Sequence, residues 1–152
     1  MIEGREFDLI NSKEPKNCLW YSNYVFDAHV WEVYASVLNG NTIHIVGDHI
    51  RQDINLLDLY IKENKICFAL IPPTLLNEDR ILQLELLLVG GDVTRDSIVK
   101  KYITSNIKIL NAYGPTEATV MCCTHSFRDG EEVRNIGKPI SNTIAYVLDA
   151  HL

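Results

Sequence analysis

Asn111-Ala112-Tyr113-Gly114-Pro115-Thr116-Glu117 sets an aromatic ring, a hydroxyl and a carboxylate side by side on a stiff Gly-Pro turn. A base could stack on Tyr113, a phosphate oxygen could bond to the Thr116 hydroxyl, and Glu117 could serve a hard cation such as Mg²⁺. The same residue types also start a helix, with Thr116 as N-cap and Glu117 in the first turn, so the motif alone leaves both readings open. Gly90-Gly91-Asp92 is a turn whose amides a ligand could approach without meeting a Cβ, although glycine also serves such a turn on its own account. In Phe26-Asp27-Ala28-His29-Val30-Trp31-Glu32, helical spacing brings Asp27, Ala28 and Trp31 onto one face. A carboxylate walled by Phe, Ala and Trp is costly to bury unless it meets a cation, and a ligand ammonium would fit. The alternative is an Asp27 that caps the helix and a Trp31 that fills the core.

Other clusters carry less. His44, Asp48 and His49 come near metal-ligand spacing, but they fall where a strand runs into a loop, and polar residues are ordinary there. Cys18, Cys67, Cys122 and Cys123 form no CxxC pair and two are adjacent, which suits neither a zinc cage nor a disulfide framework. Reduced thiols in a cytoplasmic protein are the expectation.

The 152 residues fit one domain, and 47% hydrophobic content fills a core without staples. With 14 Lys plus Arg against 20 Asp plus Glu, the net charge of −6 gives no footprint for nucleic acid. No apolar run reaches the roughly 18 residues that span a bilayer, so no membrane is expected. Met1-Ile2-Glu3-Gly4-Arg5 reads as a vector-derived protease-recognition leader, with Glu6-Phe7 as a cloning scar, and residues 1–7 are set aside from the fold.

The elements that must position these residues alternate. Cys18–Tyr21, Thr42–Val46, Ile66–Ile71, Leu84–Val89 and Ile107–Ala112 read as apolar strands. Between them lie helical patterns at Phe26–Leu38, Leu56–Glu63 and Thr94–Tyr102, the first with Phe26, Val30, Val33, Tyr34, Val37 and Leu38 on its buried face. Strands apolar throughout and separated by helices make a parallel α/β sheet buried on both faces. Val120–Ser126 and Ile144–Asp149, either side of a polar loop, read as a mixed or antiparallel C-terminal edge. Ligands in such sheets sit at the carboxyl ends of the strands, here the loops after Tyr21, Ile71, Val89 and Ala112.

With Asn135-Ile136-Gly137-Lys138-Pro139-Ile140 downstream, the three motifs stand in an order and spacing that resembles the amino-acid adenylation domain of nonribosomal peptide synthetases. The resemblance runs through essentially all of residues 8–152 and departs at His29, where serine is usual. It implies a flavodoxin-like fold and an ATP-dependent ligase that makes an aminoacyl adenylate. It further implies that Asp27 holds the substrate ammonium, while Ala28, Trp31, Leu70, Leu88, Gly90, Ala112, Val120 and Met121 line a side-chain pocket. Gly90, Gly91, Asn111, Ala112 and Tyr113 would face adenine, Thr116 the α-phosphate, and Glu117 the Mg²⁺. Apart from Asp27 that pocket carries neither charge nor hydroxyl, which suits a leucine-type substrate.

The family's phosphate loop, ribose aspartate and mobile lysine find no match in the chain. The resemblance therefore implies a second flavodoxin-like subdomain, inactive alone and needing no cofactor to fold. Its partners would be the amino acid, the remaining subdomains and a peptidyl carrier protein, and self-association through exposed apolar surface is open. A fragment of an acyl-CoA ligase-like enzyme, which needs no carboxylate facing an ammonium, and a free-standing flavodoxin-like module are the alternatives.

Overall fold

In the computed structural model, which describes residue 10 and residues 13–149, the apolar runs become the strands of one sheet. The leader expected at residues 1–7 lies outside the described residues. The elements follow in chain order: β1 (Asn17–Trp20), α1 (Ala28–Val37), β2 (Thr42–Ile45), α2 (Asp48–Arg51), α3 (Ile54–Glu63), β3 (Ile66–Leu70), β4 (Leu86–Gly90), α4 (Asp96–Thr104) and β5 (Lys108–Tyr113). A 3₁₀ turn (Thr116–Ala118), β6 (Cys123–Ser126) and β7 (Lys138–Pro139) complete them. The sheet order is β2-β1-β3-β4-β5-β6-β7. It is parallel from β2 to β5 and antiparallel from β5 to β7. The parallel part has the flavodoxin-like order, so the expected α/β architecture and its antiparallel C-terminal edge are both present.

Period-two alternation along the strands splits the interior into two cores. Ala69, Leu87, Val89 and Ile109 pack with Leu57 and Ile61 of α3 and with Ile98, Val99 and Tyr102 of α4. Phe68, Leu70, Leu86, Leu88 and Leu110 pack on the opposite face with Trp31 and Ala35 of α1. Local signals fix the helix ends: the Asp53 carboxylate accepts from the amides of Asn55 (2.8 Å) and Leu56 (3.3 Å) and so caps α3.

Two expectations are corrected. The buried face of α1 is Trp31, Glu32, Ala35 and Ser36, whereas Tyr34, Val37 and Leu38 of the expected stripe, and Phe26 before the helix, are exposed. Ala35 and Ser36 are small and let the helix approach a sheet already filled by Phe68 and the leucines. The bulky stripe faces outward. The second correction concerns the tail. Residues 144–149 form no strand, and Ile144, Tyr146, Val147 and Leu148 are exposed. The place beside β6 is taken by Lys138–Pro139, with Cys123 opposite Pro139 and Thr124 opposite Lys138. The β6 expectation also shortens, because the backbone turns left-handed at Thr119 and Val120 and extends only from Cys123.

The two sheet edges differ. At one, Lys138–Pro139 offers only two residues, one of them without an N–H. At the other, Thr42-Ile43-His44-Ile45 holds neither Lys nor Pro, and Ile45 is exposed.

Candidate functional site

A cavity of about 760 Å³ opens at the carboxyl ends of the parallel strands. All four loops expected there supply wall: Tyr21, Ser22 and Asn23 after β1, Pro72 and Thr74 after β3, Gly90, Gly91 and Asp92 at the end of β4, and Gly114 after β5. Phe26, Asp27 and Ala28 at the start of α1 and Asp48, Arg51 and Gln52 at α2 close the sides. Val120 and Met121 complete the wall. Two glycines are fixed by geometry. A Cβ on Gly90 would stand 2.7 Å from the Ala112 carbonyl oxygen, and Gly91 turns the chain at φ 82°.

Asp27 is half-buried at the first turn of α1 and lines the cavity. Its carboxylate makes no capping hydrogen bond, although its carbonyl oxygen accepts from the Val30 amide at 2.8 Å. Among the described residues it takes part in no ion pair. Arg51, the cation on the cavity wall, is committed elsewhere: it pairs with Asp48, and its Nη1 donates to the Tyr21 carbonyl oxygen at 3.2 Å.

The loop after β1 is fastened from beneath. Glu32 is fully buried and its carboxylate accepts from the Tyr21 amide (3.1 Å), the Ser22 amide (3.1 and 3.2 Å) and the Ser22 hydroxyl (3.2 Å). Burial pushes the Glu32 carboxyl up to about 8, against the pull of those donors and of the Arg51 charge.

Of the residues the sequence singled out, Asp27, Ala28, Leu70, Gly90, Gly91, Ala112, Val120 and Met121 meet on this one cavity. Trp31 and Leu88 do not reach it. Leu88 is fully buried in the core, and Trp31 packs edge-to-face on Phe68 and borders a separate pocket of about 420 Å³ beside α1 that the exposed Tyr34 and Leu38 also line. The Trp31 Nε1 is buried without a hydrogen-bond partner among the described residues. Asn111 donates from Nδ2 to the Asn135 carbonyl oxygen at 3.0 Å, tying the Asn135–Ile140 segment to β5. Tyr113 is half-exposed, and Thr116 and Glu117 stand exposed on the 3₁₀ turn beyond the cavity rim. Among the described residues no group of three or more His, Cys, Asp or Glu could hold a metal, His44, Asp48 and His49 included. Glu117 and Thr116 are hard oxygen donors that suit a Mg²⁺ ion whose other ligands are phosphate oxygens and water. His29 stacks on Trp20 and lies off the cavity wall.

The cavity as a whole is not free of further charge: Asp48, Arg51 and Asp92 line it together with Asp27. The sequence assigns no role in this site to Arg51 or Glu32, and it presents Asp48 and Asp92 only in other settings, a metal-ligand spacing and a glycine turn. Arg51 and Asp48 belong to a four-residue helix too short to give a period. Glu32 had one signal, a carboxylate directly after a tryptophan on the core side of a helix.

The family model described as AMP-binding enzyme matches residues 5–152. The chain is 33% identical over 160 residues to malpinin synthetase of Mortierella alpina, covering 99% of this chain and 2% of that protein. It is 32% identical over 149 residues to gramicidin S synthase 1 of Brevibacillus brevis, covering 94% and 13%. Among solved structures it is similar to PA1221, an NRPS protein containing adenylation and PCP domains. The TM-score is 0.80 at 29% identity, over 93% of this chain and 31% of that one. The chain thus spans a small part of the relatives it matches.

Proposed function

Since the chain belongs to the AMP-binding enzyme family, we propose that it is the substrate-selecting part of an amino-acid adenylating ligase of nonribosomal peptide synthesis, with leucine as the amino acid. One observation carries this reading: Asp27 is a half-buried carboxylate with neither a capping bond nor an ion partner among the described residues, on the wall of a cavity that Phe26, Ala28, Leu70, Val120 and Met121 also line. A ligand cation can pair with it, and an α-ammonium held there directs its side chain toward Ala28, Leu70, Gly90, Ala112, Val120 and Met121. That lining accepts a branched aliphatic group and offers a polar side chain no hydrogen bond.

In this reading the substrate carboxylate attacks the α-phosphorus of ATP and pyrophosphate leaves, so positioning and charge neutralisation do the catalytic work. Tyr113, Asn111 and the Gly90-Gly91 turn face adenine, and the Thr116 hydroxyl bonds to the α-phosphate. Glu117 holds a Mg²⁺ ion, which supplies neutralisation of the phosphoryl charge. The remaining lobes of the enzyme and a peptidyl carrier protein are the partners in the parent, and the chain alone does not catalyse. The four free cysteines suit a cytoplasmic setting, and among the described residues no helix is long and apolar enough to cross a membrane.

The test is titration of the chain with leucinol, which keeps the ammonium and side chain, and with 4-methylpentanoate, which lacks the amine. Leucinol binds the tighter, and Asp27→Asn weakens it at least about tenfold, the order expected for removing one partner of a charged pair. Equal binding by the variant, or preference for the deaminated acid, overturns the reading in favour of an acyl-CoA ligase-like relative.

A further inference from the structure

Cys122 and Cys123 are neighbours in the chain, and neither lines the cavity that holds Asp27. The Cys122 amide donates to the Tyr113 carbonyl oxygen at 2.9 Å, while Cys123 is the residue paired across the sheet with Tyr113. Two residues of one strand thus oppose one of the other, the arrangement of a β-bulge, at the entry to β6. Gly114 permits it, since a Cβ there would stand 2.8 Å from the Cys122 nitrogen. The extra residue interrupts the alternation that sends neighbouring side chains to opposite faces of a strand. The Cys122 Sγ accordingly lies 3.6 Å from that same Tyr113 oxygen. Burial first, and then the charge and hydrogen bond of the adjacent Cys122 thiol, hold the Cys123 thiol above its ordinary range. The bulge gathers both thiols at the end of β5.

The chemistry of such a pair is narrow. A cation such as Zn²⁺ needs thiolates and further ligands, and no group of three or more His, Cys, Asp or Glu among the described residues supplies them. A direct S–S bond wants Cα atoms about 4.4–6.8 Å apart, whereas adjacent residues are held at about 3.8 Å. An atom that condenses with two neutral thiols, and keeps the sulfurs further apart than a direct bond does, meets neither obstacle. Trivalent arsenic is soft and does both.

We infer that Cys122 and Cys123 form a chelating site for trivalent arsenic compounds, seated on the bulge beside the Tyr113–Glu117 turn. With an arsenic oxide of the phenylarsine oxide class, two S–H bonds and the arsenic–oxygen bond break and two arsenic–sulfur bonds form. Both thiol protons leave with the oxygen as water, and arsenic stays trivalent. Cys122, half-buried, meets the reagent first, and the buried Cys123 closes the ring. The site is independent of the amino-acid reading of the cavity.

The experiment adds equimolar phenylarsine oxide to the chain and follows it by intact and peptide mass spectrometry. A single adduct forms on the peptide that holds Cys122 and Cys123. It survives excess glutathione, a monothiol, and is removed by 2,3-dimercaptopropanol. Cys122→Ser and Cys123→Ser each leave one point of attachment, so retention against glutathione falls by about 100-fold, the scale of a lost second attachment. Cys67→Ser leaves retention unchanged. An adduct that glutathione strips from the parent chain, one carried by the Cys18 or Cys67 peptide, or undiminished retention in either folded serine variant overturns the site. Should both serine variants fail to fold, ¹⁵N NMR of the parent chain decides. The Gly114 and Cys123 amide signals move when the adduct forms, and a shift confined to Cys18 and Cys67 overturns the site.

Discussion

Glu32 holds its proton more tightly in the fold than a carboxyl does in water, because burial outweighs the three groups that donate to it. The folded value, about 8, lies above the ordinary 4.5. The stabilisation is therefore whole below about pH 4.5 and is lost as the pH rises through 8, at about 1.4 kcal/mol for each pH unit in between. Thermal melts should show Tm falling from about pH 5 to about pH 9. Glu32→Gln keeps an acceptor for Tyr21 and Ser22 but cannot ionise, so its profile is flatter. A parallel profile would mean that Glu32 is ionised within the fold. Asp27 lines the open cavity and takes part in no ion pair among the described residues. At this scale the sequence displayed the residues in motifs with their own spacing, and Asp27, Ala28, Gly90, Gly91 and Ala112 of those motifs line one cavity. It could not display Arg51, nor that Asp48 faces the cavity, because both positions depend on a short helix, and it left open whether Trp31 lines the cavity or fills the core.

Helix α1 is apolar on two sides, and periodicity cannot choose between them. The structure packs Ala35 and Ser36 against the sheet and turns Tyr34, Val37 and Leu38 outward. Close approach decided it, and close approach depends on the opposite surface, which a single chain segment does not contain. Ala35→Leu should overpack this contact and cost about 1–3 kcal/mol, whereas Tyr34→Glu should stay within about 0.5 kcal/mol of the parent. Urea unfolding of both variants decides the matter, and a larger loss from Tyr34→Glu than from Ala35→Leu would turn the Tyr34, Val37 and Leu38 stripe inward. The strands were legible for the converse reason. Leu86-Leu87-Leu88-Val89 must satisfy two cores at once, so it reads as apolar throughout. The tail failed because Ile144, Tyr146, Val147 and Leu148 carry strand-like composition but find no free edge beside β6, which Lys138–Pro139 already occupies.

For the molecule as a whole, catalysis and association depend on what the cavity and the outer face of α1 would meet. A cavity open on one side excludes little water, so the isolated chain is expected to give no leucine-dependent pyrophosphate exchange. Robust exchange would show that these residues suffice. The exposed Tyr34, Val37 and Leu38 form an apolar strip that favours self-association. Sedimentation equilibrium should reveal a concentration-dependent dimer, which Leu38→Lys shifts towards monomer; a monomer at high concentration in the parent chain would remove that expectation. The unequal sheet margins add a limit of their own. A sheet with one receptive margin and one stopped by proline has a valence of one, so strand-to-strand joining ends when two β2 margins meet. Growth into fibrils by edge addition would require the proline-stopped side to open, and Pro139→Val, by restoring an amide there, is the change that would turn a terminating pair into a polymerising unit.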